Sequence, residues 1–177
     1  MKRRLLLTVA LATAAMAVCL PAANAAPPQQ VIIAIAETFH APPAVPAVTG
    51  DITAMGGAFG AQTTGSLASV DFKPVGWPGV GEPYPFRNHF FVYKALDEYT
   101  FAEGAFSVSF EARCNLTSFN PLTGDSISSC TGNWRVNGGT GAYEGLKGSG
   151  AFTELQFLDY QQAGTGSITL FGKMQIS

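Results

Sequence analysis

Ionisable side chains are scarce in this chain. Of its 177 residues, 12% are charged and two are histidine, His40 and His89. Neither histidine stands at ligand spacing from the other or from a cysteine, so no metal site is expected. There is no Gly-x-Ser-x-Gly block. Gly124-Asp125-Ser126 opens like a serine esterase motif but has no histidine after it. Lysine and arginine form no stripe, which argues against nucleic acid as a partner. No stretch beyond the first residues holds a helical period for long, and there is no strong internal repeat. These absences remove most cofactor-dependent and nucleophilic chemistry, and no cofactor is expected.

The N-terminus carries a three-part export signal. Lys2, Arg3 and Arg4 are followed by an apolar run from Leu5 to Leu20, then by Ala23-Asn24-Ala25 with small residues where a signal peptidase cuts. The run is shorter than the roughly 20 residues a bilayer core requires, and Pro21 follows it, so no stable membrane anchor is expected. A lipid anchor on Cys19 is disfavoured by the bulk of Val18 before it. The expected division is a leader, residues 1–25, and one domain, residues 26–177, secreted to the periplasm or the exterior. Losing Lys2, Arg3 and Arg4 leaves seven lysines plus arginines against twelve acids, a net charge of −5. An acidic surface is a poor match for anionic lipid or nucleic acid.

Two cysteines remain in the mature chain, Cys114 and Cys130. In an oxidising compartment an even pair reads as a disulfide. Pro121, Gly124 and Asp125 lie between them, which suggests two strands joined by a long loop that the bridge pins at its base. Closing such a loop contributes about 3 kcal/mol in the chain-entropy account.

The remaining chain reads as β-strands. Phe106, Val108, Phe110 and Ala112 alternate with Ser107, Ser109, Glu111 and Arg113, the clearest period of two in the sequence. Val31 to His40, two runs within Asp51 to Val70, Asn88 to Tyr93, Asn133 to Asn137, Ala151 to Leu158 and Ser167 to Ile176 complete a set of about eight strands. Turns at short intervals suit an all-β closed barrel or a sandwich. Lys73 to Pro85, with four prolines around Trp77 and Tyr84, reads as a long irregular loop, expected to lie over a barrel mouth as a lid.

Residues 132–150 carry a pattern of their own: Gly132-Asn133-Trp134-Arg135-Val136, Asn137-Gly138-Gly139-Thr140-Gly141, then Ala142-Tyr143-Glu144-Gly145 and Gly148-Ser149-Gly150. The glycines permit positive φ and bends at a hairpin corner. A dinucleotide fingerprint would need a helix after them, and Gly145, Gly148 and Gly150 oppose one. The run resembles the allene oxide cyclase and dirigent-like β-barrels, and most of all their secreted bacterial members. Glu37, Phe39 and His40 at the end of the first strand are similar to that group as well. The resemblance implies an eight-stranded antiparallel barrel, a cofactor-free cyclase or isomerase, and compatibility with a homo-oligomer.

Glu37 is the first candidate for catalysis. Ile33, Ile35, Glu37 and Phe39 share one strand face, and a carboxyl among apolar residues must be paired, sit at a rim, or hold a raised pKa suited to proton transfer. The rim alternative pairs it with Arg135 or with solvent. Phe39, Trp77, Tyr93, Arg135 and Tyr143 are candidates for ligand contact, with His40, His89 and Glu111 weaker. Three functions fit: a barrel binding a small hydrophobic molecule in its lumen, a cofactor-independent cyclase or isomerase, and a structural barrel with a filled core. Intact-mass analysis of secreted protein should show a chain starting at Ala26 whose two thiols are alkylated only after reduction. Alkylation without reductant would rule out the bridge.

Overall fold

In the computed structural model the described residues are 27–41, 44, 46–75, 90–120 and 122–177. They form eight strands: β1 (Gln29–Phe39), β2 (Val48–Met55), β3 (Thr63–Val75), β4 (Phe90–Phe101), β5 (Gly104–Phe119), β6 (Ser126–Gly141), β7 (Leu146–Leu158) and β8 (Gly164–Ile176). Each strand pairs antiparallel with the next, and β1 closes on β8 from Gln29↔Met174 to Phe39↔Gly164. The expected closed eight-stranded antiparallel barrel is the fold. Most strands run longer than expected. β3 continues through Lys73 to Val75, so these three residues belong to a strand and not to the expected loop, and the rest of that segment, with Trp77, Tyr84 and the expected lid, lies outside the described residues.

A period of two produces this wall. Along β1, Val31, Ile33, Ile35, Glu37 and Phe39 are buried while the residues between them face out. Along β5, Phe106, Val108, Phe110, Ala112 and Cys114 point inward and Glu111, Arg113 and Asn115 outward. Three bulges keep the phase. Val70 is skipped where β3 passes β4, Asn137 where β6 passes β5, and Thr117 where β5 passes β6. After Val70, the inward set of β3 changes from Leu67 and Ser69 to Phe72.

The two barrel ends differ. At the lower end, Phe59 on a short 3-10 turn (Gly57–Phe59) packs with Phe101, Phe106 and Tyr143, with ring centroids 5.3–5.9 Å apart. This aromatic plug closes the lumen. Above it lies Trp134, 2% exposed, whose Nε1 donates to Ala151 O at 3.0 Å. The indole occupies space that side chains at Gly150 and Gly172 would fill, since Cβ atoms there would stand 2.8 and 2.6 Å from it. Trp134 therefore packs inside the barrel against β7 and β8, and Tyr143 belongs to the plug.

The glycine run does turn a hairpin, β6 into β7. Gly141 has φ +63°, and a Cβ there would meet Glu103 O at 2.4 Å. Cys114 and Cys130 are directly paired on β5 and β6 and form a disulfide inside the lumen. The bridge does not pin the base of a long loop as expected. β5 and β6 stay paired beyond it up to Phe119↔Ser126, leaving a connection of 120–125. Gly141→Val combines left-handed backbone strain with a backbone clash, and should cost at least about 2 kcal/mol. Calorimetry should show the melting temperature falling by about 5 °C or more. An unchanged melting temperature would contradict this account of the corner.

Candidate functional site

Three carboxyls converge in the upper half of the lumen. Glu37 comes from β1, Asp97 from β4 and Glu154 from β7, each at most 7% exposed. Alternation alone accounts for their facing inward. Asp97 follows Phe91, Tyr93 and Ala95 on one face of β4, and Glu154 lies between Phe152 and Gln156 on one face of β7. All three, with Phe39, Phe72, Tyr93 and Phe110, line a small recess. The space open to the centre of a water molecule there is about 10 Å³, room for about one water.

The carboxyls are held unequally. Glu154 accepts from Tyr93, whose hydroxyl crosses the lumen to Oε2 at 2.6 Å, and from Gln156 Nε2 at Oε1, 2.5 Å. Glu37 lies beside it at the recess, close enough for each carboxyl to act on the other's pKa. Burial raises the Glu154 pKa above the usual carboxylate range, and the hydrogen bonds it accepts from Tyr93 and Gln156 offset only part of that rise. Glu37 is pushed well above the usual carboxylate range, first by burial and then by the charges of Glu154 and Asp97. Asp97 is raised to about 7, by burial and then by Glu154. The cluster therefore carries fewer than three charges at neutral pH. All three carboxyls are shifted upward, so the cluster keeps protons that carboxyls at the surface would release. Tyr93 and Tyr99 are held neutral, by burial first and by neighbouring carboxylates second.

The structure sorts the residues singled out from sequence. Glu37, Phe39 and Tyr93 come together at the recess. Arg135 does not reach it. It follows the inward-facing Trp134 and so faces solvent on the outer wall, which removes it as a partner of Glu37 and as a ligand contact in the lumen. Tyr143 sits in the plug at the opposite end, away from the recess. Glu111 is exposed and paired with Lys94, and His40 Nε2 is 2.9 Å from Thr49 Oγ1. Trp77 and His89 lie outside the described residues. Asp97, Glu154 and Gln156 were not among the candidates. The runs Phe91-x-Tyr93-x-Ala95-x-Asp97-x-Tyr99 and Phe152-x-Glu154-x-Gln156-x-Leu158 carry the signal, a polar residue in phase with an apolar face.

Among the described residues no group of histidine, cysteine and acidic side chains is arranged to hold a metal ion. No described helix is long and apolar enough to cross a membrane. Comparison of the chain with family models, curated proteins and solved structures finds no match.

Raised carboxyl pKa values mean that the folded protein holds protons more tightly than the unfolded chain. The stabilisation is fully present below the unfolded values and is lost as pH rises through the folded ones, for Asp97 between 3.8 and about 7. The melting temperature should therefore fall by about 5 °C or more between about pH 5 and about pH 8, and Asp97→Asn should flatten the profile. A melting temperature that rises over this range would contradict the assignment of raised values.

Proposed function

We propose that this barrel is an exported cup, open at one end, for a small and mostly apolar molecule that places a polar end among Glu37, Asp97 and Glu154. The observation that carries the reading is the Glu37 carboxyl. It is buried at the recess, and its Oε2 has no hydrogen-bond partner within the protein. A buried carboxyl oxygen without a partner costs free energy that a structural core has no reason to keep. The aromatic plug supports a single entrance, since it fills the lower end. The lumenal disulfide and the signal-like sequence of residues 1–25 support export.

A second reading is favoured by the meeting of Glu37 and Glu154 at one buried recess. A protonated carboxyl beside an ionised one provides an acid and a base in a site of low polarity, and such a pair can move a proton on a bound molecule without a cofactor. Tyr93 and Gln156 would then act as positioning residues that fix the Glu154 carboxylate. The resemblance of residues 132–150 to the allene oxide cyclase and dirigent-like barrels supports a cyclase or isomerase of this kind.

Ala95 lines the recess, and a larger side chain there fills it. Short-chain alcohols, ketones, amines and carboxylic acids should be screened by thermal shift against the parent and Ala95→Leu, a change costing about 1–3 kcal/mol by overpacking. At least one class should raise the parent melting temperature and leave the variant unmoved. Among bound ketones, deuterium uptake beside the carbonyl that disappears in Glu37→Gln would mark the second reading. If no class shifts the parent, or the variant responds equally, the barrel is a filled structural core.

A further inference from the structure

The recess is acidic and has no cation to match. Among the described residues no lysine, arginine or histidine faces the lumen. Lys73 and Lys94 are exposed and paired outside with Asp71 and Glu111, and Arg113 lies over the Phe90 ring, 4.6 Å from its centroid. Arg135, Lys147 and Lys173 face solvent, and His40 engages Thr49. Within the lumen, β1 contributes Glu37, β4 contributes Asp97, Tyr93 and Tyr99, and β7 contributes Glu154. The described parts of β2, β3, β5, β6 and β8 place no ionisable group there.

Three further features define what would fit. Glu37 Oε2 is more than nine-tenths buried, lines the recess and lacks a protein partner. Its neighbour on β8 is Gly166, where a Cβ would stand 3.1 Å from that oxygen and 2.8 Å from Phe39 Cε2, so the wall beside the carboxyl is kept bare. The walls include Phe39, Phe72, Tyr93 and Phe110, and aromatic faces attract organic cations. The free space is about the size of one water, which is also the size of an –NH₃⁺ group. An anion would meet three carboxyls of its own sign. A hydroxyl would donate once and leave the charge uncompensated, whereas an ammonium head has three donors for three carboxyls.

We propose that the recess takes the ammonium head of a primary amine, with the carbon chain leaving through the mouth along Phe39 and Phe72. This rests on the reading of the barrel as a small-molecule cup. The proton balance is explicit. The amine enters as R–NH₃⁺, and the protons still held by Glu37 and Asp97 at the working pH pass to solvent, so that all three carboxyls are ionised around the cation. Affinity should therefore rise with pH through the carboxyl range and fall again only where the amine itself loses its proton, near pH 10.

Titration calorimetry of the full-length secreted protein with hexylamine, 1-hexanol and hexanoate tests this. At about pH 8 hexylamine should bind at least about tenfold more tightly than hexanol, and hexanoate should not bind. At about pH 5 amine affinity should drop about tenfold, and near neutral pH two buffers of different ionisation enthalpy should reveal proton release on binding. Trimethylhexylammonium, too bulky for the recess and without N–H donors, should fail. Glu37→Gln should lose about tenfold in amine affinity while melting no lower than the parent. Asp97→Asn, on another wall, serves the same purpose if that variant does not fold. Hexanol binding as tightly as hexylamine, or amine binding that ignores pH, overturns the amine proposal and leaves the cup. Failure of all three probes overturns the cup itself.

Discussion

The ladder between β1 and β8 converts a meander of hairpins into a closed wall, and the chemistry of the protein depends on that closure. Without it, Glu37 would lie on an edge strand, hydrated and ordinary. With it, Phe39 pairs with Gly164 at one end and Gln29 with Met174 at the other, so every inward side chain of β1 enters a lumen shared with seven other strands. Water is displaced, the effective dielectric falls, and a carboxyl that would ionise freely at the surface keeps its proton.

The lumen is divided by polarity along the barrel axis. Aromatic rings and Trp134 fill the lower part, where glycines on β7 and β8 trade side chains for the indole. The upper part holds Glu37, Asp97, Glu154 and Gln156, with the Tyr93 hydroxyl from β4. Burying three acids opposes stability, and the protein offsets this in part by giving Glu154 donors from Tyr93 and Gln156. The offset is incomplete. Glu37 Oε2, Gln156 Oε1 and the Tyr99 hydroxyl keep no partner within the protein. Of these residues Glu37 lines the recess, and a carboxyl oxygen left in this condition there fits a site better than a scaffold, because a scaffold gains stability from an apolar side chain in its place.

Much of the architecture was legible from residue order. The alternation of Phe106, Val108, Phe110 and Ala112, the apolar face bearing Glu37, and the corner at Gly141 all follow from local geometry, since a strand exposes alternate side chains whatever its neighbours are. Pairing Cys114 with Cys130 was also readable from their number and from the signal-like N-terminal sequence. Their place inside the lumen was not, because it depends on how far β5 and β6 stay paired beyond them. Arg135 shows how sensitive such readings are: one position from Trp134, it points to the opposite side of the wall.

The meeting of Glu37, Asp97 and Glu154 belongs to the tertiary structure alone. They are separated by long stretches of chain and come from strands that do not adjoin one another. Their common height depends on the stagger of the closed sheet and on the bulges at Val70, Thr117 and Asn137, each of which shifts register by one residue. The sequence by itself determined that the chain forms long alternating strands with glycine at a tight corner, because those preferences act within a few residues. Which carboxyls share one water-poor space, and so which hold protons, was decided by barrel closure, because desolvation and charge repulsion act across distances that chain order does not encode.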